Sequence, residues 1–239
     1  MRRLMLVFAS KAYEAQYQVF RRALTRSNPS LEVRALRSVD GLRDALKARP
    51  REILRGFADG YTQVVFSGAD QVFFSPLEFP AEPPVILFPQ MNPALPPPRD
   101  GLHPDIHDYL RTGTFNSDLQ VWNDCAEARD FLEWYTQELE HECVTDFNRG
   151  LFFDQTYLNL ASTLRGAHID TDFIHNVGFY NYQGQARSAI KSFHFTGFFP
   201  HDPGRISMHQ NRIIAEGDLL DLMNWYAQEL VAATPGATT

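Results

Sequence analysis

VVFSGADQVFFSPL, residues Val64–Leu77, decides how the chain folds. It continues an apolar run, residues 62–67, of the kind that forms a strand covered on both faces. Gly68 then permits a tight turn, Asp70 stands three residues beyond the apolar run, and Pro76 restricts the backbone on either side of it. A carboxylate at the carboxyl end of a buried strand can reach a metal ion or a ribose. On residue type alone, an Asp close behind a Gly in such a place is a turn residue.

Toward the N-terminus, LMLVFA at Leu4–Ala9 is a second continuously apolar segment and predicts a buried strand. Tyr13, Tyr17, Phe20 and Leu24 recur at helical spacing, and Ser27-Asn28-Pro29-Ser30 ends that helix. Leu31–Leu36 alternates as a short strand. Val39–Ala48 and Arg51–Ala58 read as two helices broken at Pro50. Strand, helix, strand, helix, strand is the order of a Rossmann-like α/β fold: a mostly parallel sheet flanked by helices, with ligands beyond the carboxyl ends of the strands.

Toward the C-terminus, Val85–Phe88 predicts a strand, and PQMNPALPPPRDGLHPD from Pro89 to Asp105 predicts a long loop, either a wall of the site or an extended segment on the core. Thr114–Trp122 is strand-like. Asp124 is then expected to cap a helix reaching about Cys143, with Phe131, Tyr135 and Leu139 on its core face. A helix is predicted over Asp154–Leu164, short strands and turns over Ile169–Phe195, and a last helix over Asp218–Val231. Residues 1–232 thus make one domain, and the polar tail 233–239 is expected to be disordered.

With 44% hydrophobic residues, 21% charged, 19 Phe and 9 Tyr, the 239-residue chain is too apolar to be disordered. No apolar run approaches the roughly 20 residues of a membrane span, and MRRLMLVFAS is too short for a signal peptide, so a cytoplasmic location is expected. Cys125 and Cys143 have neither the number nor the spacing of a disulfide framework or zinc site, and both are read as reduced. A net charge of −7 argues against general nucleic-acid binding.

Four phrases in the second half carry a family pattern: FNSDLQVWND at Phe115–Asp124, RGLFFDQTYLNL at Arg149–Leu160, HNVGFYNY at His175–Tyr182 and FHFTGFFP at Phe193–Pro200. They resemble, in this order, the phrases FNSG, GLFxDQxWxD, YNVAYWN and FHFSGFDP of bacterial glycosyltransferases of the GT-A fold, distantly like the glycogenin group. The helix ARDFLEWYTQELEHEC and the later SMHQNR extend the likeness over about residues 62–212.

The resemblance implies transfer of a sugar, hexose-like, from a nucleoside diphosphate sugar of the UDP or GDP type to a hydroxyl of a saccharide, lipid-linked or other acceptor. It also implies Mn²⁺ or Mg²⁺ held by an Asp-x-Asp pair, where two positive charges offset those of the leaving diphosphate. Gly68 replaces the first Asp of that pair, Asp70 remains, and His194 is the second metal ligand the phrase FHFTGF suggests; otherwise His194 is a core residue of a strand. The donor site is expected to include Ala9, Ser67 and Asp70. Lys47 and Arg51, with Arg55, precede the Asp70 strand, and Lys191, Arg205 and His209 are later cations that could meet a diphosphate. Asn176, Asn181 and Gly197 are expected near the donor, either holding the sugar or only satisfying the backbone. Asn116, Asp154 and Gln155 are the catalytic candidates, Asp154 as a general base or a hydroxyl-positioning group, against its alternative as a helix N-cap. Asp118 stands where the family has the Gly of FNSG and carries no assigned role. Two rivals remain: a non-catalytic or donor-hydrolysing relative, prompted by Gly68, and a transferase acting on a modified nucleic-acid base.

Overall fold

The apolar N-terminal run forms strand β1 (Arg3–Phe8), in which Leu4 and Leu6 face one core and Met5 and Val7 the other. This period-two division is what a strand covered on both faces requires. The computed structural model describes residues 1–37, 41–90, 113–164, 166–182, 184–198, 205–208 and 211–234.

β1 is followed by a turn of 3₁₀ helix (Lys11–Tyr13), α1 (Glu14–Ser27), β2 (Glu32–Leu36), α2 (Leu42–Ala58), β3 (Gln63–Ser67), β4 (Gln71–Phe73) and β5 (Val85–Pro89). The second half contains β6 (Phe115–Asn123), α3 (Ala126–His141), β7 (Thr145–Asp146), β8 (Leu151–Phe152), α4 (Phe153–Leu164), β9 (His168–Ile169), β10 (Ser192–His194), β11 (Arg205–Met208), β12 (Asn211–Ile214) and α5 (Gly217–Ala233).

The central sheet has the order β2-β1-β3-β6-β5-β9. β2, β1 and β3 pair in parallel, as do β5 and β9, while β6 runs antiparallel to both its neighbours. The sheet is therefore mostly parallel, with β6 alone reversed among its described strands. Leu46, Ile53 and Phe57 of α2, Phe131, Tyr135 and Leu139 of α3, and Leu158 of α4 cover one face. Tyr17, Phe20 and Leu24 of α1 cover the other. A third apolar cluster joins α5 to the small β4–β10 sheet through Val72, Phe193, Phe195, Met223 and Tyr226. Among the described residues, no helix is long and apolar enough to cross a membrane.

Three local expectations are corrected. Pro50 does not divide two helices: α2 is continuous through it. The proline removes one backbone donor, but Ala45, Leu46 and Arg49 before it and Ile53, Gly56 and Phe57 after it are all buried on one side, and that shared packing outweighs the break. Asp124 does not cap α3, whose N-cap residue is Cys125 with no side-chain cap; Asp124 instead accepts from Arg129 Nε at 2.7 Å. Ala233, expected in the tail, ends α5. The proline-rich loop beyond Gln90, through Asp105, and the tail from residue 235 lie outside the described residues.

Candidate active site

The site is built where β3 and β6 end their ladder. After Ser67, residues 68–71 turn, the Gln71 N–H donating to the Gly68 carbonyl at 3.4 Å, and this lifts Asp70 off the carboxyl end of β3. Ser67 faces Leu119, so Gly68 stands across from Asp118, whose carbonyl accepts the Gly68 N–H at 2.9 Å. On its other edge β6 slips register: Leu87 faces Gln120 but Phe88 faces Asn116. Residues 117–119 thus bulge away from β5, a device that re-aims side chains. The Ser117 carbonyl freed by the bulge accepts from Arg49 Nη1 and Gln120 Nε2, each at 2.7 Å.

His194 arrives from the small sheet. β10 lies antiparallel to β4 with His194 opposite Gln71, and the Phe195 N–H donates to the Asp70 carbonyl at 2.9 Å. His194 is 1% exposed, and its Nε2 lies 3.1 Å from Asp118 Oδ2 and 3.4 Å from Asp70 Oδ2. Nε2 is thus within ion-pair range of both carboxylates without an ideally aligned hydrogen bond to either. One ligand atom from each of the three residues lies within 4.8 Å of the other two. A buried ring nitrogen between two carboxylates is a donor set that fits a hard divalent cation such as Mn²⁺ or Mg²⁺.

The surroundings prepare Nε2 for that role. Tyr180 Oη lies 3.0 Å from His194 Nδ1, and the tyrosine hydroxyl donates to the Asn176 carbonyl at 3.4 Å. In the neutral ring, a tyrosine oxygen that accepts from Nδ1–H leaves the Nε2 lone pair facing the carboxylates. In the protein alone, burial opposes charge on His194, but Tyr180, Asp70 and Asp118 outweigh it and hold the imidazole well above its usual range. Burial pushes Asp118 up, whereas His194 and Arg49 pull it further down, below the ordinary carboxylate range. The carboxylates that stabilise an imidazolium would equally stabilise a bound cation.

Beside this cluster lies a pocket of about 430 Å³ whose polar lining includes Arg49, Asp70, Asn116, Asp118, Asp154 and Gln155. Arg49, on the inner face of α2, is 1% exposed and pairs with Asp154, itself 2% exposed. Asp154 also accepts from Tyr135 Oη at 2.9 Å and Ser117 Oγ at 3.3 Å. It sits in the first turn of α4, just after Phe153, whose φ of 47° swings the chain into the helix. Burial raises the Asp154 carboxyl above its ordinary range against the opposing pull of Arg49. A carboxylate offers about four acceptor positions, so three protein donors leave one for a hydroxyl in the pocket. Tyr13, 50% exposed, lines this pocket and a neighbouring cavity of about 430 Å³ that also touches Asp70, Gly197 and Tyr226.

Of the residues singled out from the sequence, Asp70, Asn116, Asp154, Gln155 and His194 are brought together here. Ser67 is buried with its hydroxyl turned to the Gly68 carbonyl, and Ala9 is buried at the end of β1. Asn176 and Asn181 sit behind the site. Asn176 accepts from Gln71, and Asn181 accepts from the Gly178 N–H and donates to the Pro89 carbonyl. Lys47 and Arg51 point to the outer face, where both pair with Glu140 of α3. Arg55 pairs with Glu52, and Lys191 lines neither cavity. His209 lies outside the described residues, as does the side chain of Arg205.

Among the site residues that escape a reading of the sequence, Arg49 and Asp118 matter most. Arg49 shares the helical phase of Ala45, Leu46, Ile53 and Phe57, so helical periodicity could have found it. Asp118 is an acid between Ser117 and Leu119 in an otherwise apolar and amide-rich strand, which is the signal it leaves.

No protein-family model matches the chain, and no curated protein matches it by sequence. Solved structures do. The apo form of the glycosyltransferase GlyE of Streptococcus pneumoniae TIGR4 aligns with 95% of this chain at 12% identity and a TM-score of 0.57. This chain spans 60% of the GlyE chain. The galactosyltransferase LgtC, solved with donor and acceptor sugar analogs, aligns with 96% of this chain and 95% of its own at 10% identity and a TM-score of 0.52. At these identities the likeness establishes a shared fold.

Proposed function

We propose that this chain, which has the GT-A fold of those two structures, is a glycosyltransferase that moves a sugar from a nucleoside diphosphate sugar to an acceptor hydroxyl. The observation that carries the reading is the Asp70–Asp118–His194 cluster opening onto a pocket floored by Arg49 and Asp154. Among the described residues, three carboxylates line that pocket against the guanidinium of Arg49. Such a lining repels a diphosphate unless a cation is bound, and a cation is what the cluster fits. Mn²⁺ or Mg²⁺ there would offset the charge that grows on the diphosphate as the glycosidic bond breaks.

The chain's own residues then divide the remaining work. Asp70, Asp118 and His194 hold the cation end of the donor. Asp154 accepts one hydroxyl of the sugar or acceptor, while Arg49, Tyr135 and Ser117 keep its carboxylate still; this is positioning, which contributes by removing orientational freedom from the reacting pair. Asn116 and Gln155, both nearly buried on the pocket wall, offer amide groups to the transferred sugar. The half-exposed ring of Tyr13, bridging the two cavities, offers a face for a nucleotide base. The acid-rich lining disfavours a nucleic-acid acceptor, whose phosphates it would repel.

Calorimetric titration of the full chain with UDP, GDP and their sugars, with and without Mn²⁺, tests the reading. One nucleotide sugar should bind more tightly when Mn²⁺ is present. No binding of any nucleotide under either condition would sink it.

A further inference from the structure

Gly68 and Asp118 face each other across the last rung of the β3–β6 ladder, joined by the Gly68 N–H to Asp118 carbonyl bond. A Cβ at position 68 would stand 3.5 Å from Asp118 Cγ and Oδ1 and 2.8 Å from Asp70 Oδ1. The room beside Gly68 is therefore bordered by the carboxylate that reaches over from the opposite strand. That carboxylate touches the centre of the cluster: Asp118 Oδ2 is nearer to His194 Nε2 than Asp70 Oδ2 is. His194 Nε2, buried and without a hydrogen bond, is aimed between the two acids.

We infer that Asp118 supplies, from β6, the carboxylate that position 68 lacks, so that the cation is held by one acid from the β3–β4 turn and one from the neighbouring strand. The inference rests on the reading above that this site takes a divalent cation. Its physical basis is cross-strand geometry: directly opposite residues of an antiparallel pair have Cβ atoms about 4.5–5.5 Å apart. An Asp carboxylate reaches about halfway across that gap, so either strand can bring the acid toward nearly the same point. Acids at both 68 and 118 would place a third like charge beside Asp70, which raises the cost of the site without its cation. Glycine at 68 is what leaves the space open.

A consequence is that the cation holder and the pocket floor share one bulge. The Asp118 N–H donates to Asn116 Oδ1 at 2.8 Å, and the adjacent Ser117 carbonyl is held by Arg49. A cation pulling on Asp118 thereby pulls on the segment that shapes the pocket.

The test is Mn²⁺ binding to the full chain without nucleotide, read by electron paramagnetic resonance of free Mn²⁺ and by calorimetry, with circular dichroism melts as the check on folding. Asp118→Asn should stay folded, with the melt lowered by the lost pairing to His194, and lose at least about tenfold in Mn²⁺ affinity. The exchange variant Gly68→Asp/Asp118→Gly should regain part of that loss, because removing the Asp118 side chain clears the 3.5 Å contact at 68 while the Asp70 carboxylate shifts to admit the new Cβ. Asp118→Cys should shift preference from Mn²⁺ to Cd²⁺, a change a structural role would not produce and one that does not depend on the exchange variant folding. Mn²⁺ affinity unchanged in Asp118→Asn, or no gain in Cd²⁺ preference in Asp118→Cys, overturns the inference while leaving the transferase reading intact. A wild-type chain that binds no Mn²⁺ removes both the cation and this inference, whereas nucleotide-sugar binding in EDTA bears on the transferase reading alone.

Discussion

Arg49 and Asp154 form an ion pair that is almost wholly buried, one from the inner face of α2 and the other from the first turn of α4. The Arg49 guanidinium also lies 4.0 Å over the Phe66 ring and donates to the Ser117 carbonyl, so it ties two helices to the sheet beneath the pocket. Removing one member of such a pair strands a buried charge. Arg49→Met should cost about 3–5 kcal/mol in urea unfolding. Arg49→Met/Asp154→Asn should cost less than the sum of the single changes, by about 0.5–3 kcal/mol. Strict additivity would show that the two side chains are not coupled.

Asp70 presents the opposite combination. It sits on a turn with its side chain 24% exposed; its backbone carbonyl holds the chain just after β10, which a substitution keeps, and its carboxylate lies 3.4 Å from His194 Nε2. Asp70→Ala should leave the chain folded and lower its stability by about 1 kcal/mol, because His194 loses one of its two carboxylate neighbours. Sugar transfer, measured by mass shift of the acceptor, should be abolished because the cation loses a carboxylate. Wild-type turnover in the folded variant would remove Asp70 from the mechanism.

These two residues, Arg49 and Asp70, mark the boundary of what is legible in the sequence. Apolar runs at β1 and β3 and helical spacing in α1 and α3 announce the layers, because burial imposes a period on the chain. Asp70 is legible because its position depends on one strand and one turn. Asp118 is not, since its meaning depends on which residue faces it across β3 and on a bulge against β5, and register is a tertiary property. Lys47 and Arg51 come from the right helix but the wrong phase: both meet Glu140 outside, while Arg49 between them turns inward. The continuity of α2 through Pro50 is hidden for a similar reason, since a propensity rule does not see the sheet that the helix packs on.

The two thiols should differ in reactivity. Burial, and then the nearby Asp154 charge, push the Cys143 thiol up to about 11, and it is fully enclosed in the core. Cys125 is also raised, by its own partial burial, yet it is reachable from solvent. Because the thiolate is the reactive form, iodoacetamide at about pH 8 should add slowly to Cys125 alone in the native protein and to both thiols in urea. Intact-mass spectrometry and then peptide mapping read the result. Native labelling of Cys143 would mean that the core beside Asp154 opens.

Tyr180 offers the sharpest test of how the histidine is prepared. Its hydroxyl takes the Nδ1 side of the ring, and its own proton is committed to the Asn176 carbonyl, so Nε2 is the nitrogen left with a lone pair. Tyr180→Phe keeps the ring that stacks edge-on against His194 and deletes only the oxygen. Mn²⁺ affinity should fall about 10–100-fold, the usual cost of losing an outer partner of a metal-ligating histidine. Under the same conditions the chain should stay folded, its stability lowered by about 1–3 kcal/mol, the cost of an unpaired buried Nδ1. If the oxygen served only the core, the melt would fall while Mn²⁺ binding stayed unchanged. Raising the pH separates the roles further. His194 is held well above its usual range by Tyr180, Asp70 and Asp118, and a cation must displace its proton. Wild-type Mn²⁺ affinity should therefore climb with pH until the imidazole is neutral, and calorimetry in buffers of different ionisation enthalpy should show a proton released on binding.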